Sequence, residues 1–338
     1  MRWSKKVTAG VAIALAAGLA LTGCSQKAGG SGSGTGQLKI AFVPKIQGIP
    51  YFEAMNTGGQ QAAKDLGVQW IYTGPTTADP GAQTDIVRSL IQQRVNAIVV
   101  APNDPDSMAP VLAEAKAKGI AVLTADTDAP NSVRQLFVNQ ASPDGIAKAL
   151  MDQLMARTGG AGRYAIVSCG QTAANLNSWI AAQQAYAAQK YPQAHLVGTV
   201  YAGEDQANAV SMAKDLINAH PDLTGLIGEC TTSAPGVAEA VQETGKINKV
   251  YTVGVGTPQS MKQYLADGSS SGSVLWDVRN LGYLTVWAAG QLATGKTLAP
   301  TNDVSKALPA VGYSAADKTL LLGDPLVITN ANVDQFPY

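Results

Sequence analysis

From residue 38 onward the chain keeps alternating between short apolar runs and helical patterns, and this limits its fold more than anything else in it. The runs are 38–43, 68–72, 97–101, 120–124, 135–138, 164–168, 196–201, 225–228, 250–255 and 273–276. They are rich in β-branched residues and read as buried strands. Between them lie stretches with helical spacing. Asp79-Pro80 opens one that runs to about Arg94, with Ile86, Val87, Leu90 and Ile91 on one face. Another, 107–118, carries Met108, Val111, Leu112 and Ala115 and stops at Gly119. Ser142-Pro143 opens a third, and 207–219 ends at His220-Pro221. Strands alternating with helices predict βαβ units and parallel sheets. So many units exceed one ordinary doubly wound sheet. The expected fold is α/β, two Rossmann-like lobes with parallel sheets. The chain should change lobe near 137–142 and again near 271–277.

The first 36 residues stand apart from this pattern. Arg2, Lys5 and Lys6 precede an apolar stretch over 7–21, too short for a comfortable membrane span. A basic start, an apolar core and then Leu21-Thr22-Gly23-Cys24 resemble a bacterial lipoprotein signal, in which Cys24 receives lipid and becomes the mature first residue. A Gly/Ser/Thr-rich linker follows to residue 36. Export and a lipid anchor place the folded part outside the cytoplasm, at the outer face of the cell membrane. The expected organisation is a signal over 1–23, a lipid-anchored linker over 24–36, a first lobe of 37–138 plus about 278–300, and a second lobe of 139–277 plus about 301–338.

Without its first 23 residues the 338-residue chain is long for one core and comfortable for two. Net charge is +0 and only 14% of residues are charged, which speaks against nucleic acid as a partner. No GxGxxG follows the first strand and no GxSxG is present, so neither a dinucleotide enzyme nor a serine hydrolase is indicated. His195 begins a strand and His220 ends a helix; neither reads as a catalytic base. No metal site or cofactor is expected. Asp126-Thr127-Asp128 with Asn131 lacks the glycine and closing Glu of a calcium loop. Cys169 and Cys230 follow two strands that would be neighbours in a 2-1-3 order. A disulfide across the cleft floor and a pair of quiet thiols both remain open.

In open parallel sheets, ligands bind beyond the carboxyl ends of the strands. The first strand is followed by Pro44-Lys45, then Tyr51 and Phe52; the third by Asn103 and Asp104; the fourth by Asp126. In the second half, 164–168 leads to Asn175, Asn177 and Trp179. The run 225–228 leads to Glu229 and Thr231, and 273–276 ends in Trp276-Asp277. Carboxylates and amides offer directional hydrogen bonds to hydroxyl groups, and aromatic faces cover C–H surfaces. This mixture suits a neutral polyhydroxylated ligand. Each residue also has a plainer role: Asp104 and Asp126 as caps or turn formers, Asn175 or Asn177 as an N-cap, and Tyr51, Phe52, Trp179 and Trp276 as packed core.

The segments AFVPK at 41–45, YTGPT at 72–76, VSMAKDLINAHPDL at 210–223, VGVGTP at 253–258, LWDVRNLGY at 275–283 and LVITNANVDQF at 326–336 carry a resemblance over nearly the whole chain from residue 38. The chain resembles type I periplasmic sugar-binding proteins, the receptor subunits of ABC importers, and within them the rhamnose- and autoinducer 2-binding receptors. The resemblance implies two lobes joined by three crossings, closure on one sugar or polyol, and docking of a monomer on a permease served by an ATPase. It implies that Lys45 bonds the ligand, that Tyr51 and Phe52 replace the stacking aromatic pair, and that Asp126, Asn175 and Asp277 are polar contacts. Leu176 stands where the rhamnose and autoinducer receptors have Gln. Glu229 and Thr231 replace the Pro and Ala of the autoinducer receptors, and Gly256 replaces an Asp of ribose-type receptors. These departures leave room for an acyclic sugar alcohol. A receptor partnering a membrane signalling protein would use the same fold. An extracytoplasmic sugar hydrolase would need paired carboxylates across the cleft.

Overall fold

The structure is a computed structural model and describes residues 36–338. The signal segment, Cys24 and the linker up to residue 35 lie outside the described residues.

Along the chain come β1 (Lys39–Val43), α1 (Pro50–Leu66), β2 (Gln69–Tyr72), α2 (Pro80–Gln92), β3 (Ala97–Val100), α3 (Pro105–Ala117), β4 (Ala121–Ala125) and β5 (Leu136–Asn139). Then follow α4 (Pro143–Thr158), β6 (Ala161–Ser168), α5 (Ala174–Lys190), β7 (Gln193–Tyr201), α6 (Gln206–Ala219), β8 (Leu223–Gly228), α7 (Ser233–Glu243), β9 (Tyr251–Gly254), α8 (Pro258–Asp267) and β10 (Gly272–Leu275). The closing part holds α9 (Val278–Ala293), β11 (Thr301–Asn302), β12 (Val311–Ser314), β13 (Thr319–Leu321) and β14 (Leu326–Ile328). Helix starts follow their local chemistry. Proline opens α1, α2, α3, α4 and α8, where its missing N–H costs nothing. The side chains of Asp79, Ser142 and Asp205 accept from backbone N–H groups of the helices they precede.

Two sheets organise these elements. The first runs β11-β12-β13-β5-β4-β3-β1-β2 and the second β14-β10-β9-β8-β6-β7. All pairings from β1 to β5 and from β6 to β10 are parallel, as the alternation predicts. The chain passes between sheets after β5, after β10 and after β13. Helices cover both faces of each sheet. Val87, Leu90, Met108, Val111 and Leu112 of α2 and α3 pack on Ala41, Val43, Ile98 and Val100. In the second lobe Ala209, Ala213, Val237 and Val241 of α6 and α7 pack on Ala165, Val167 and Leu226.

The tail departs from the expected division. Residues from 301 to 321 do not join the second lobe: β13 pairs parallel with β5 and extends the first sheet, with β12 and β11 beyond it. Only β14 joins the second sheet, antiparallel to β10. The reason is a parallel register from Thr319↔Phe137 to Leu321↔Asn139, backed by Arg134, whose guanidinium donates to the carbonyls of Asp317 and Lys318.

Candidate functional site

Both sets of parallel strands direct their carboxyl ends at one cleft, which encloses about 340 Å³ of free space including its mouth. Lys45 follows β1 and is almost fully buried. Its loop is fixed from below. Gln83 donates to the carbonyls of Pro44 (2.9 Å) and Ala101 (2.8 Å) and accepts from the Asn103 N–H (2.9 Å), while the Asn103 amide donates to the Lys45 carbonyl (2.8 Å). The Lys45 ammonium thereby reaches across the cleft to Asn175 Oδ1 at 2.8 Å, with Asp126 Oδ2 at 3.8 Å.

Asp126 leaves β4 with φ at 65°, a left-handed conformation that Asp tolerates better than most residues. Its Oδ1 accepts from the Tyr51 hydroxyl at 2.7 Å and its Oδ2 from Thr127 Oγ1 at 2.9 Å. The Tyr51 oxygen in turn accepts from Trp276 Nε1 at 3.1 Å. Burial, followed by the Asp126 charge, pushes the Tyr51 phenol well above its ordinary range. Aromatic edges build the rest of the wall. Tyr51 meets Phe52 at 5.0 Å and Trp276 at 6.0 Å between ring centres, and Trp179 meets Trp276 at 5.7 Å. From the second lobe come Asn175, Leu176 and Trp179 on α5, Cys230 and Thr231 after β8, and Val255 after β9.

Eight residues expected at the site line the cleft: Lys45, Tyr51, Phe52, Asp126, Asn175, Trp179, Thr231 and Trp276. Five expected there are placed elsewhere. Asp104 and Asp277 cap α3 and α9, accepting from the N–H groups of Ser107 (2.7 Å) and Asn280 (2.9 Å). Asn103 works behind Lys45, and Asn177 donates back to the Gln171 carbonyl at 2.9 Å. Glu229 is wholly buried behind the wall, where Gln183 donates to it at 2.6 Å.

Sequence reading missed Glu204, which lines the cleft after β7. Burial raises its carboxyl pKa; Lys45 opposes this and Asp126 reinforces it. The signal available was its place after a strand end, behind the left-handed Gly203. Cys169 and Cys230 come together on the cleft floor with Cα atoms 6.1 Å apart, the span a disulfide needs. Glu204 lies beside them, its carboxylate within 4.8 Å of both sulfurs. With the two sulfurs bonded to each other, this trio offers a metal one carboxylate and no thiolate. Side-chain hydrogen bonds that span the lobes include Lys45 to Asn175, Thr172 Oγ1 to the Asn103 carbonyl at 3.0 Å and Trp276 Nε1 to Tyr51, so the cleft is closed.

The arrangement can hold a small molecule by hydrogen bonds from both lobes. Comparison with known proteins agrees with that geometry. The family described as "Periplasmic binding protein domain" matches residues 40–297. The ribose import binding protein RbsB of Escherichia coli K12 is 24% identical over 260 residues, 76% of this chain and 85% of that protein. A xylitol-binding protein of Mycolicibacterium smegmatis is 26% identical over 242 residues, 70% of this chain and 66% of that protein. Among solved structures, LsrB from Clostridium saccharobutylicum in complex with AI-2 superposes with a TM-score of 0.84 at 25% identity, covering 89% of this chain and all of that one. A solute-binding protein of Clostridium phytofermentas with bound L-rhamnose gives 0.83 at 28%, covering 89% and 98%. With a family match over most of its length, two parallel-sheet lobes and a cleft between them, the chain belongs to the periplasmic binding proteins, in their type I sugar-binding branch.

Proposed function

We propose that the protein is the substrate-binding component of an ABC importer and that it captures a small neutral polyhydroxylated molecule, a monosaccharide or sugar alcohol, without transforming it. The observation that carries this reading is the closed cleft in which Lys45 and Asp126 face Asn175, Thr231 and Glu204 inside a box of four aromatic rings. Buried charged donors and acceptors beside ring edges match hydroxyls and C–H surface together. Relatives named for ribose and xylitol support the same ligand class. Leu176 on the wall replaces a hydrogen-bonding Gln of the rhamnose and autoinducer receptors, which favours a ligand with fewer ring-bound contacts there. The solved relative with AI-2 keeps autoinducer 2 as the competing ligand. In this reading Cys24 carries lipid and holds a monomeric receptor at the outer face of the cell membrane, beside its permease and ATPase. Among the described residues no helix is long and apolar enough to cross a membrane. We also infer that Cys169 and Cys230 are bonded.

A thermal-shift screen of residues 37–338 against D-ribose, L-rhamnose, xylitol, other four- to six-carbon sugar alcohols and autoinducer 2 tests this. A ligand at roughly 1,000 times its Kd stabilises by about 4 kcal/mol, a shift of several degrees. One sugar or polyol standing out, recovered unchanged after release, is the expected result. Autoinducer 2 binding more tightly than every polyol overturns the sugar-alcohol assignment, and turnover of a bound sugar overturns the receptor reading.

A further inference from the structure

Behind the cleft wall lies a polar cluster that the capture of a ligand does not use. Glu229 and Gln183 are both fully buried, and Gln183 Nε2 donates to one Glu229 oxygen at 2.6 Å. Glu229 Oε2, Gln183 Oε1 and Ser168 Oγ are buried with no hydrogen-bond partner among the described residues. Ser168 ends β6 and Glu229 follows β8, one step beyond the paired Val167 and Gly228, so both extend the same edge of the sheet. With an ionised Glu229 this group has two unserved acceptor atoms, Glu229 Oε2 and Gln183 Oε1; the second Gln183 N–H and the Ser168 hydroxyl are its remaining donors, and neither bonds either atom. One added proton on the carboxyl places a donor at Glu229 Oε2 itself, where neither of the others reaches. An acid and an amide are also complementary: the amide N–H serves one carboxyl oxygen while the acid O–H can serve the amide oxygen.

We propose that Glu229 is a positioning residue of the cleft that keeps its proton in the folded protein, and that the neutral acid, paired with the Gln183 amide, ties two cleft walls together. Gln183 sits one turn beyond Trp179 on α5, and Glu229 directly precedes Cys230 and Thr231. The pair therefore joins the α5 wall to the corner after β8. Burial pushes the Glu229 carboxyl up from the usual glutamate value of 4.5 to about 8, against the Gln183 hydrogen bond that lowers it. Charges nearby do not reverse this. From β6 the facing titratable group is Tyr164, whose own phenol is raised by burial and then by Glu229. The residues of β9 on that face, Val253 and Val255, and the buried face of α4 (Ile146, Leu150, Met151, Leu154) are apolar. Of the surface charges of α4 and α5, Lys148, Asp152 and Lys190 pair with one another, Asp144 lies in the first turn of α4 and Arg157 lies over the Tyr251 ring.

The value of this pair to the cleft rests on the receptor reading; the test uses no ligand, so its failure leaves that reading standing. Because the folded acid binds its proton more tightly than the unfolded one, its contribution to stability is complete below about pH 4.5 and is lost as pH rises to about 8. Glu229→Gln keeps the shape and the donor without a charge. The wild type should lose stability relative to Glu229→Gln by at least about tenfold in the unfolding constant between about pH 5 and pH 9. Parallel profiles overturn the proposal. Infrared spectra of the wild type should show a neutral carboxylic acid at about pH 6 that vanishes by about pH 9.5; it should persist in Glu204→Gln and be missing from Glu229→Gln. Absence of that band from the wild type overturns the proposal even where Glu229→Gln does not fold. The wall-positioning role is read from Trp179: its emission, taken as the difference from Trp179→Phe, should shift with the same midpoint. A Trp179 signal that ignores this titration reduces Glu229 to a core residue and overturns the role.

Discussion

Carboxylates that follow strand ends in this protein meet fates that differ for local reasons. Asp104 and Asp277 are followed at once by a helix, so their side chains turn back to cap its free N–H groups. Glu229 stays on the face of its strand that looks into the second lobe, and is buried. Asp126 is followed by a loop, and its left-handed backbone aims it into the cleft. Glu204 follows Gly203, another left-handed position, and also reaches the cleft. Asp126 therefore has the contacts of a recognition residue: it anchors Tyr51, faces Lys45 and lines the cavity. Asp126→Ala is expected to weaken binding of the sugar or polyol found by the screen by about 1.5–3 kcal/mol, roughly 10- to 150-fold by calorimetry. The same change should lower the Tyr51 phenol pKa in an ultraviolet titration, because one of the causes that raise it is removed. Unchanged affinity would take Asp126 out of the site. The sequence made the strand-end positions legible, and hence Lys45, Asp126 and Thr231. It could not separate capping from ligand-facing carboxylates, since that depends on a backbone angle at one residue.

At the scale of elements, α1, which carries Tyr51 and Phe52, crosses α9, which follows Trp276, unusually closely. A methyl group added at Gly282 would collide with the Met55 carbonyl, and one at Gly58 with the Arg279 carbonyl. Glycine is needed there for the approach of two backbones, not for a turn. Gly282→Ala should therefore cost about 1–3 kcal/mol in urea unfolding, as overpacked sites do. It should also weaken ligand binding, because α1 holds Tyr51 and Phe52 while α9 follows directly on Trp276 and Asp277. A variant as stable as the wild type would show that the helices can part freely. The strands β1 to β10 were legible because each is an apolar run between turn residues. The hairpin β12–β13 was not, for its strands are short and mix Gly, Ser and Thr with apolar residues. What places them is the register with β5 and the Arg134 guanidinium, neither of which leaves a periodic trace.

For the whole molecule, the question is what each lobe contributes to closure and what keeps it rigid. The inferred Cys169–Cys230 bond spans 61 positions of the second lobe, so by loop entropy it stabilises by about 4 kcal/mol. Thiol titration of unfolded residues 37–338 should find no free cysteine, and Cys169→Ala with Cys230→Ala should unfold several degrees earlier; two free thiols would refute the bond. That bond stiffens one lobe, whereas closure needs contacts that exist only when both lobes meet. A ligand shifts the open–closed equilibrium only by its preference for the closed form. Lys45 carries a cation from the first lobe to the second, by its 2.8 Å hydrogen bond to Asn175, and is nearly buried in the closed cleft. Lys45→Met keeps the apolar stem and removes the charge, leaving Asp126 without its cation and Asn175 without a donor. Binding of the identified sugar should fall at least about tenfold, and small-angle scattering at a ligand concentration that closes the wild type should show the variant still expanded. If the variant closed as fully as the wild type at equal ligand, the cross-cleft bond would be a by-product of closure and the aromatic box its cause.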